Sequence, residues 1–472
     1  MAETRVVGYT VDCRTAYKVV CQMENNTQSA PEHERLRALP WVLANGALNA
    51  VFAYWSFAGS VFLFFLSELG LPKGQIGAVL ALFPFCGVLA LGFAPLATRW
   101  GWKRVYLAGY GLRKVVWALL LLLPWVLACA GRGASLTFLF AVIAVFALLR
   151  AMAETAYYPW SQEFIPNRVR GNFNGISLVL GTLTSTVALF VAGRVIGQGS
   201  GLPRYLVLMA AGCVLGLLSV IMMAKVPGGA PRPDAAAPGV HFTNMLQALR
   251  DRNFVTYLGG MGCATVGTML LTSFLPLYVK ERMGVAPGTV VMLDMAVVIG
   301  GAPSGLVLGW AADRVGSRPV LLPAMAMSLL VPLGWLLLPR HVPHAVAWCV
   351  ALYFIYGVAS SGMAIGAGRW LFNAVIPPER STAYTAIYYA WIGVTGGVAP
   401  LLAGALLSAG GGWQARVGAV VMDGYSLLFF IALVLLAAGW GMYRRVRPDD
   451  RYTTRTVMKR LPPALWRLLF PS

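Results

Sequence analysis

Charged residues are scarce in this sequence. They make up 11% of the 472 residues, whereas a soluble globular domain carries about 25%. The deficit argues against a soluble protein, because too few ionisable side chains are available to cover the surface of a chain this long. Only 4 histidines occur, and none lies in the middle of an apolar run, so a proton relay built on histidine is not expected.

Several motifs are also missing. The 7 cysteines include no C-x-x-C pair, so neither a zinc site nor a disulfide framework is indicated. No P-loop, H-E-x-x-H or G-x-S-x-G motif occurs, which argues against ATP-driven transport and against these enzyme classes. We therefore expect no enzyme, no cofactor and no metal site. Residues 1–38 lack the apolar stretch of a signal peptide, so the first apolar run should direct membrane insertion.

Apolar residues, in contrast, are abundant and occur in long runs. They form 58% of the chain, and the mean hydropathy is +0.70. A helix that crosses a membrane needs about 20 mostly apolar residues. The sequence therefore predicts an all-α membrane protein of about twelve transmembrane helices, numbered here as spans 1 to 12. The predicted spans are 41–66, 75–97, 105–128, 135–160, 173–196, 204–225, 254–278, 289–311, 319–338, 345–371, 383–408 and 424–443.

The chain is strongly basic, with 37 Lys and Arg against 17 Asp and Glu and a formal net charge of +20. Such a balance can indicate nucleic acid binding. Here the basic residues fall between apolar runs, mostly on the side of the two termini, and cytoplasmic loops collect Lys and Arg. We therefore expect a multi-pass protein of the plasma membrane with both termini cytoplasmic and no nucleic acid partner. The basic residues on the opposite side are Lys73, Arg132, Arg194, Arg204, Lys280, Arg282, Arg340 and Arg416.

The two parts of the sequence repeat each other weakly. Residues 70–74 match 284–288, residues 99–105 match 314–320, and residues 164–166 match 375–377, all at a nearly constant offset. Two such repeats around a central cavity form one of the architectures of secondary transporters. The sequence thus predicts two pseudo-symmetric six-helix halves. The expected division is an N-terminal segment 1–38, a first half 39–225, a central cytoplasmic loop 226–253, a second half 254–443 and a basic cytoplasmic tail 444–472.

The loop between spans 8 and 9 has a distinctive pattern. Gly309 and Gly316 permit close helix approach and a tight turn, and Arg314 and Arg318 can anchor the loop at the cytoplasmic face. The segment from Gly309 through Asp313 to Arg318 resembles the G-x-x-x-D-R-x-G-R-[KR] loop of the major facilitator superfamily. A simple topology anchor is the alternative interpretation.

This resemblance implies the fold of that superfamily, with transport by rocking of two six-helix halves. It also implies that Asp313 joins a cytoplasmic charge network that helps to hold the outward-open state. The first-half copy, between spans 2 and 3, departs from the pattern. Thr98 stands where the Asp would be and Ala94 where the first Gly would be, so only Asp313 can act in this way.

Ionisable residues at membrane depth are costly and mark candidate functional sites. On span 4, Arg150, Glu154, Tyr157 and Tyr158 share one helix face. On span 3, Arg113 and Lys114 lie at a depth that matches Glu154. Glu154 could therefore pair with Arg113, Lys114 or Arg150.

Two interpretations of this set remain open. It is either a structural salt bridge between spans 3 and 4 or a site for substrate or protons. Glu154 is our preferred candidate for proton coupling, with the neighbouring basic residues setting its proton affinity or binding an anionic group.

Further candidates are polar and aromatic side chains. Buried amides at Asn45 and Asn49 of span 1 either bind substrate or tie helices together. The aromatic side chains Tyr356, Tyr388 and Trp391 on spans 10 and 11 either stack on a sugar-like or flat ligand or belong to packing and the interfacial belt. Arg369, near the cytoplasmic end of span 10, is a further candidate for substrate binding or coupling. Asp294 on span 8 is either an ion-coupling carboxylate or a residue that snorkels to the membrane surface.

The sequence thus favours a monomeric secondary active transporter of a small organic solute, with a sugar-like substrate preferred. Its partners would be that solute, membrane lipid, and protons or another coupling ion. The alternatives are a multidrug or metabolite efflux antiporter and a non-transporting membrane sensor on the same fold. Span 5 has no Gly-Pro pair of the kind that the superfamily's drug antiporters carry there, which weakens the efflux interpretation.

Overall fold

The computed structural model describes residues 31–89, 93, 97, 99–231, 242–339, 344–377, 381–410, 414–417 and 420–449. Most of the predicted N-terminal segment and of the basic tail lies outside these residues, as do Thr98, Ala94 and Arg340. The exact boundaries of the predicted segments stay a prediction.

The described residues of the first half include seven α-helices, which cover spans 1 to 6. Span 1 is broken into α1 (Glu32–Ser56) and α2 (Gly59–Glu68). The remaining spans of this half are α3 (Lys73–Val88), α4 (Trp102–Ala118), α5 (Leu123–Phe164), α6 (Arg170–Gln198) and α7 (Pro203–Ala224). Short 3₁₀ turns, Leu119–Leu122 and Asn167–Val169, follow α4 and α5.

The segment between the two halves contains the short helix α8 (Phe242–Arg250). Spans 7 to 12 are α9 (Arg252–Glu281), α10 (Pro287–Val315), α11 (Ser317–Leu337), α12 (Ala345–Trp370), α13 (Ser381–Ala409) and α14 (Gly424–Tyr443). A π-helical turn, Leu371–Val375, ends span 10. An antiparallel hairpin of β1 (Gln414–Val417) and β2 (Val420–Asp423), which the sequence did not predict, joins spans 11 and 12.

Among the described residues, ten helical stretches are long and apolar enough to cross a membrane. One of them, Trp102–Phe164, has 63 residues and crosses twice. Gly131 breaks its helical backbone with φ 78° and ψ −177°. On either side of that break, Trp117 packs against Phe146 and Tyr106 packs against Trp160, as in an antiparallel hairpin. With the shorter Lys73–Val88 helix, the count is twelve spans, which confirms the predicted fold class.

The two halves pack their helices in the same pattern. In the first half, span 1 packs on spans 5 and 6, span 3 on spans 4 and 6, and span 2 on span 4. Adding six to each number gives the pattern of the second half: span 7 on 11 and 12, span 9 on 10 and 12, and span 8 on 10. Between the halves, span 2 packs on 11 and span 5 on 8, and these pairs are images of each other. The fold is therefore pseudo-symmetric.

The repeat also governs the backbone at single residues. Gly70 and Gly284, matched in sequence, have φ values of 72° and 70°, and Gly101 and Gly316 have φ values of 92° and 98°. These positive values are accessible to glycine without steric cost. The matched glycines therefore begin equivalent spans with the same turn.

Equivalent tryptophans hold the segments that follow spans 6 and 12. Trp160 Nε1, on span 4, donates to Pro227 O at 3.0 Å, and Trp370 Nε1, on span 10, donates to Arg447 O at 2.8 Å. Each half thus binds the chain that leaves its last span. We call the side of the bundle where these anchors and the described chain ends lie the terminal face, and the other side the opposite face.

Candidate functional site

A cavity of about 1680 Å³ lies between the halves. Its walls come mainly from spans 1, 2 and 4 of the first half and spans 7, 8, 10 and 11 of the second. Tyr158 and Tyr389 line it near the terminal-face ends of α5 and α13, and these two residues are 69% and 49% exposed. The cavity is therefore open towards the terminal face.

At the opposite face the halves are in close contact. Gly74 N, at the start of span 2, donates to Ser408 Oγ of span 11 at 2.9 Å. In the symmetry-related position, Gly193 of span 5 lies against the backbone of Gly288 of span 8. Glycine permits this backbone approach because it has no side chain. These paired contacts close the cavity on the opposite face.

Charged groups also cross between the halves at this face. Lys73 Nζ lies 2.7 Å from Glu281 Oε2, and the Glu281 carboxylate accepts a further hydrogen bond from Tyr425 Oη at 2.8 Å. The Lys73 ammonium lies 4.6 Å from the centre of the Tyr425 ring. Because Lys73 and Glu281 are partly exposed, this pair contributes little to the stability of the contact.

Span 1 is interrupted where it meets span 8. After α1 ends at Ser56, Gly59 adopts φ 67° and α2 begins. Asp294 Oδ2, on α10, accepts a hydrogen bond from Ser60 N at 2.9 Å. Asp294 also lines the cavity. The snorkelling interpretation of Asp294 is therefore wrong, because its carboxylate bonds to the other half of the protein instead of reaching for the membrane surface.

The predicted face of span 4 contributes directly to the cavity wall. Arg150, Glu154 and Tyr158 line it, and Arg150 Nε lies 2.7 Å from Glu154 Oε1. The side chains of Arg150 and Glu154 are 36% and 54% exposed. The Arg150 guanidinium also lies 5.5 Å from the centre of the Phe57 ring. Of the three partners considered for Glu154, Arg150 is the one with which it forms an ion pair.

The basic pair of span 3 lies elsewhere. Arg113 and Lys114 are buried between spans 1, 3 and 6, and both donate to Asn49 Oδ1, at 3.2 and 3.3 Å. Tyr110 Oη donates to Asn45 Oδ1 at 2.7 Å. None of these side chains is among the described residues that line the cavity. Their contacts support the helix-tying interpretation of the two amides, and a role in transport stays a prediction.

The aromatic candidates divide between wall and core. Tyr356 lines the cavity, whereas Tyr157 packs on Tyr106, with ring centres 5.5 Å apart. Tyr388 is buried in the second half, and Trp391 Nε1 donates to Leu258 O at 2.8 Å. The stripe that faces the cavity on span 11 is one residue further along. It includes Thr385, Tyr389, Ile392 and Gly393, and Ala386 and Pro400 of the same helix also line the cavity.

Sequence reasoning missed this stripe because both stripes have helical spacing and similar residue types. Only the packing of α13 against α9 decides which one turns inward. A glycine on a helix can mark a close contact with a neighbouring helix, and this signal could have separated the two stripes. Gly393 does lie against Pro84 and Val88 of span 2.

The loop between spans 8 and 9 binds the C-terminal chain. Asp313 Oδ1 lies 3.4 Å from Arg369 Nε, and its side chain is 79% exposed. Arg369 Nη1 lies 3.4 Å from Asp449 Oδ2, which also accepts a hydrogen bond from Ser317 N at 3.0 Å. Arg369 therefore belongs to this network at the terminal face and not to the cavity wall.

The other residues of the loop have separate roles. Gly316 makes the predicted tight turn, with φ 98°. Arg318 Nη2 donates to Arg444 O at 2.8 Å, and the Arg314 guanidinium lies 4.4 Å from the centre of the Trp310 ring. The close helix approach predicted at Gly309 is wrong, because a Cβ atom there would meet nothing within 4 Å.

Two pseudo-symmetric six-helix bundles around a central cavity are an architecture of membrane transporters. The sequence model described as Major Facilitator Superfamily matches residues 43–367 and 260–472. The chain belongs to the major facilitator superfamily, and it is a transporter of small solutes. The resemblance predicted from the loop is thereby confirmed.

Solved structures share this fold. A point variant of the nucleoside transporter NupG matches with a TM-score of 0.66 and 13% identity, over 88% of this chain and 99% of that one. A bacterial homologue of the human lysosomal transporter Spinster, inward-facing and unoccupied, matches with a TM-score of 0.62 and 15% identity, over 91% and 99%. No curated protein matches the sequence significantly.

Proposed function

We propose that this protein is a secondary active transporter that moves a small organic solute by rocking its two halves around the central cavity. The observation that carries the proposal is the cavity itself, which is open at the terminal face and closed at the opposite face by symmetric contacts. Because the span 2–11 and span 5–8 contacts are related by the pseudo-symmetry, the halves can close the other face by an equivalent movement.

The walls favour a substrate with a flat ring and hydroxyl or amine groups. Aromatic rings at Tyr54, Phe57, Phe83 and Tyr158 are combined with a few polar groups, including the Arg150–Glu154 pair. Ring stacking and a small number of placed hydrogen bonds suit sugar-like or nucleoside-like solutes. NupG, which shares the fold, is described as a nucleoside transporter.

Transport by the purified full chain in proteoliposomes tests this function. A thermal-shift screen of sugars and nucleosides should first identify a solute that raises the melting temperature. That solute, radiolabelled, should then exchange across the bilayer, and an imposed proton gradient should drive its accumulation. A solute that binds but is neither exchanged nor accumulated would contradict the proposal and favour the sensor on this fold. Extrusion of many unrelated apolar cations would favour the efflux antiporter.

We further propose that the terminal face is cytoplasmic and that the protein lies in the plasma membrane, as the distribution of Lys and Arg indicates. Native cysteines test this orientation. Cys129 is exposed near the turn at Gly131, on the opposite face, whereas Cys13 and Cys21 precede span 1. A membrane-impermeant maleimide should label intact cells through Cys129, and Cys129→Ser should remove that labelling.

Labelling of Cys13 and Cys21 should require permeabilised cells. If Cys13 and Cys21 react in intact cells while Cys129 does not, the orientation is inverted.

A further inference from the structure

We propose that Asp294 is a proton-binding residue that closes the opposite face by capping the broken span 1 of the other half. The inference rests on the proposed transport function, since it assigns to one residue the link between proton binding and the movement of the halves. Glu154 and Asp294 lie on different halves of the same cavity, so this role is separate from that of Glu154.

The bond is a helix cap made between two halves of the protein. The first backbone N–H groups of a helix lack partners within the helix, and a carboxylate is a favoured acceptor for them. In α2 the N–H of Ser60 finds that acceptor on α10, at 2.9 Å. A cap supplied from another half exists only while the halves are together. Opening the opposite face must therefore break it.

The absence of a side chain at Gly59 provides the space that the Asp294 carboxylate occupies. The φ of 67° at Gly59 turns the backbone so that a Cβ atom would lie 2.8 Å from Asp294 Oδ2. Glycine removes that obstruction and tolerates the positive φ. The interruption of span 1 thus creates both the free N–H and the space that the carboxylate enters.

The groups around the Asp294 carboxyl include a hydroxyl with an unused hydrogen-bonding capacity and no paired cation among the described residues. The hydroxyl Tyr353 Oη lines the same cavity and is buried without a hydrogen-bond partner among the described residues. The phenols of Tyr54 on α1 and of Tyr353 and Tyr356 on α12 are the titratable side chains of these two helices that line the cavity with Asp294. The helices α6, α9 and α11 also pack on α10. In the described residues, none of their charged side chains pairs with Asp294.

The direction of the pH effect follows from hydration. When the opposite face is open, Asp294 faces water. Closing it moves the carboxyl from open solution to the inner wall of the cavity, where Ser60 N donates to it. In that narrower space a neutral carboxyl loses less hydration than a carboxylate. The neutral form still accepts the Ser60 bond through its carbonyl oxygen. Closure of this face should therefore take up a proton, and lower pH should favour the closed form.

The route of the proton is consistent with alternating access. With the opposite face open, Asp294 can bind a proton from that side. In the structure described here it lines a cavity that opens to the terminal face, so the proton leaves on that side. Each movement of the halves therefore transfers the carboxyl from one solution to the other.

Distances between two spin labels at the opposite face test this inference without any solute. Cys129 of the first half and Val346→Cys of the second are both exposed there, in a full chain whose other cysteines are replaced by alanine. Between about pH 8 and about pH 5, the ratio of the short-distance to the long-distance population should rise by about tenfold. In Asp294→Asn, whose amide oxygen keeps the cap but cannot titrate, the change should fall below about twofold.

Two further variants separate capping from titration. Asp294→Ala removes the acceptor, and Gly59→Ala places a methyl group against the intact carboxylate, so both should reduce the short-distance population at every pH. Glu68→Gln is the matched control, because Glu68 lies near the opposite face and pairs with Arg204 within its own half. It should keep the response of the parent chain.

The inference is overturned if Asp294→Asn responds to pH like its parent, if the parent does not respond, or if Asp294→Ala leaves the populations unchanged. These distances do not depend on transport. A chain that transported no solute would leave this result standing.

Discussion

Replacing Gly193 with valine should reduce the rate of transport by about tenfold and shift the protein towards the form that is open at the opposite face. A Cβ atom at Gly193 would lie 2.7 Å from Gly288 O and 2.6 Å from Met292 Cγ. Overpacking of this kind costs about 1–3 kcal/mol, and 1.4 kcal/mol is a factor of about ten in an equilibrium. Because the contact exists only while this face is closed, the whole cost falls on the closed form.

Gly181→Val is the matched control for this substitution. Gly181 lies on the same helix, and a Cβ atom there would meet nothing within 4 Å. Solute exchange in proteoliposomes and the label distances at the opposite face measure the two effects. If Gly193→Val and Gly181→Val behave alike in both measurements, the contact between spans 5 and 8 does not control the closure.

Glu154→Gln should abolish proton-driven accumulation of the solute while preserving exchange and the folded state. The carboxylate lines the cavity and its only ion-pair partner among the described residues, Arg150, is on the same helix. Exposed pairs of this kind contribute about 0.2–1 kcal/mol, so the melting temperature should change little. A carboxyl that faces the cavity can load and release a proton as the halves move, and glutamine cannot.

The double variant Arg150→Gln/Glu154→Gln separates coupling from pairing. If the ion pair matters only for structure, the double variant should recover the accumulation that the single variant loses. If Glu154 carries the proton, it should not. Full accumulation by a stable Glu154→Gln protein would eliminate the coupling role, and Asp294 would remain as the candidate carboxyl.

The spans, the two halves and the loop between spans 8 and 9 could be predicted from the sequence because each depends on a local or a repeated sequence pattern. Apolar runs set the number of spans, and matched segments such as those at Gly70 and Gly284 set the symmetry. The tight turn at Gly316 could be predicted because glycine in this loop pattern permits it. These features depend on the composition of short segments and little on the partners of a given side chain.

The lining of the cavity could be predicted only in part. Arg150, Glu154 and Tyr158 of span 4 line the cavity, in keeping with the rule that charged side chains avoid lipid, whereas their role in transport stays a prediction. The same rule could not distinguish a cavity from the interior of one half, which is where Arg113 and Lys114 lie.

The break in span 1 was not predicted either. Residues 57–59 fall within one apolar run, and their turn is stabilised by Asp294, more than 230 positions away in the chain. Helix phase and long-range caps of this kind are decided by tertiary packing, which a single sequence does not show.

The anchors at Trp160 and Trp370 have a consequence for how the protein is assembled. Each half fastens its own exit segment, Pro227 in one case and Arg447 in the other, so the two behave as duplicated six-helix units joined head to tail. The connection between them then acts as a tether. It guarantees one copy of each unit and raises their effective concentration to that of neighbours on one chain. Each unit therefore contains both its six helices and the anchor for the segment that leaves them.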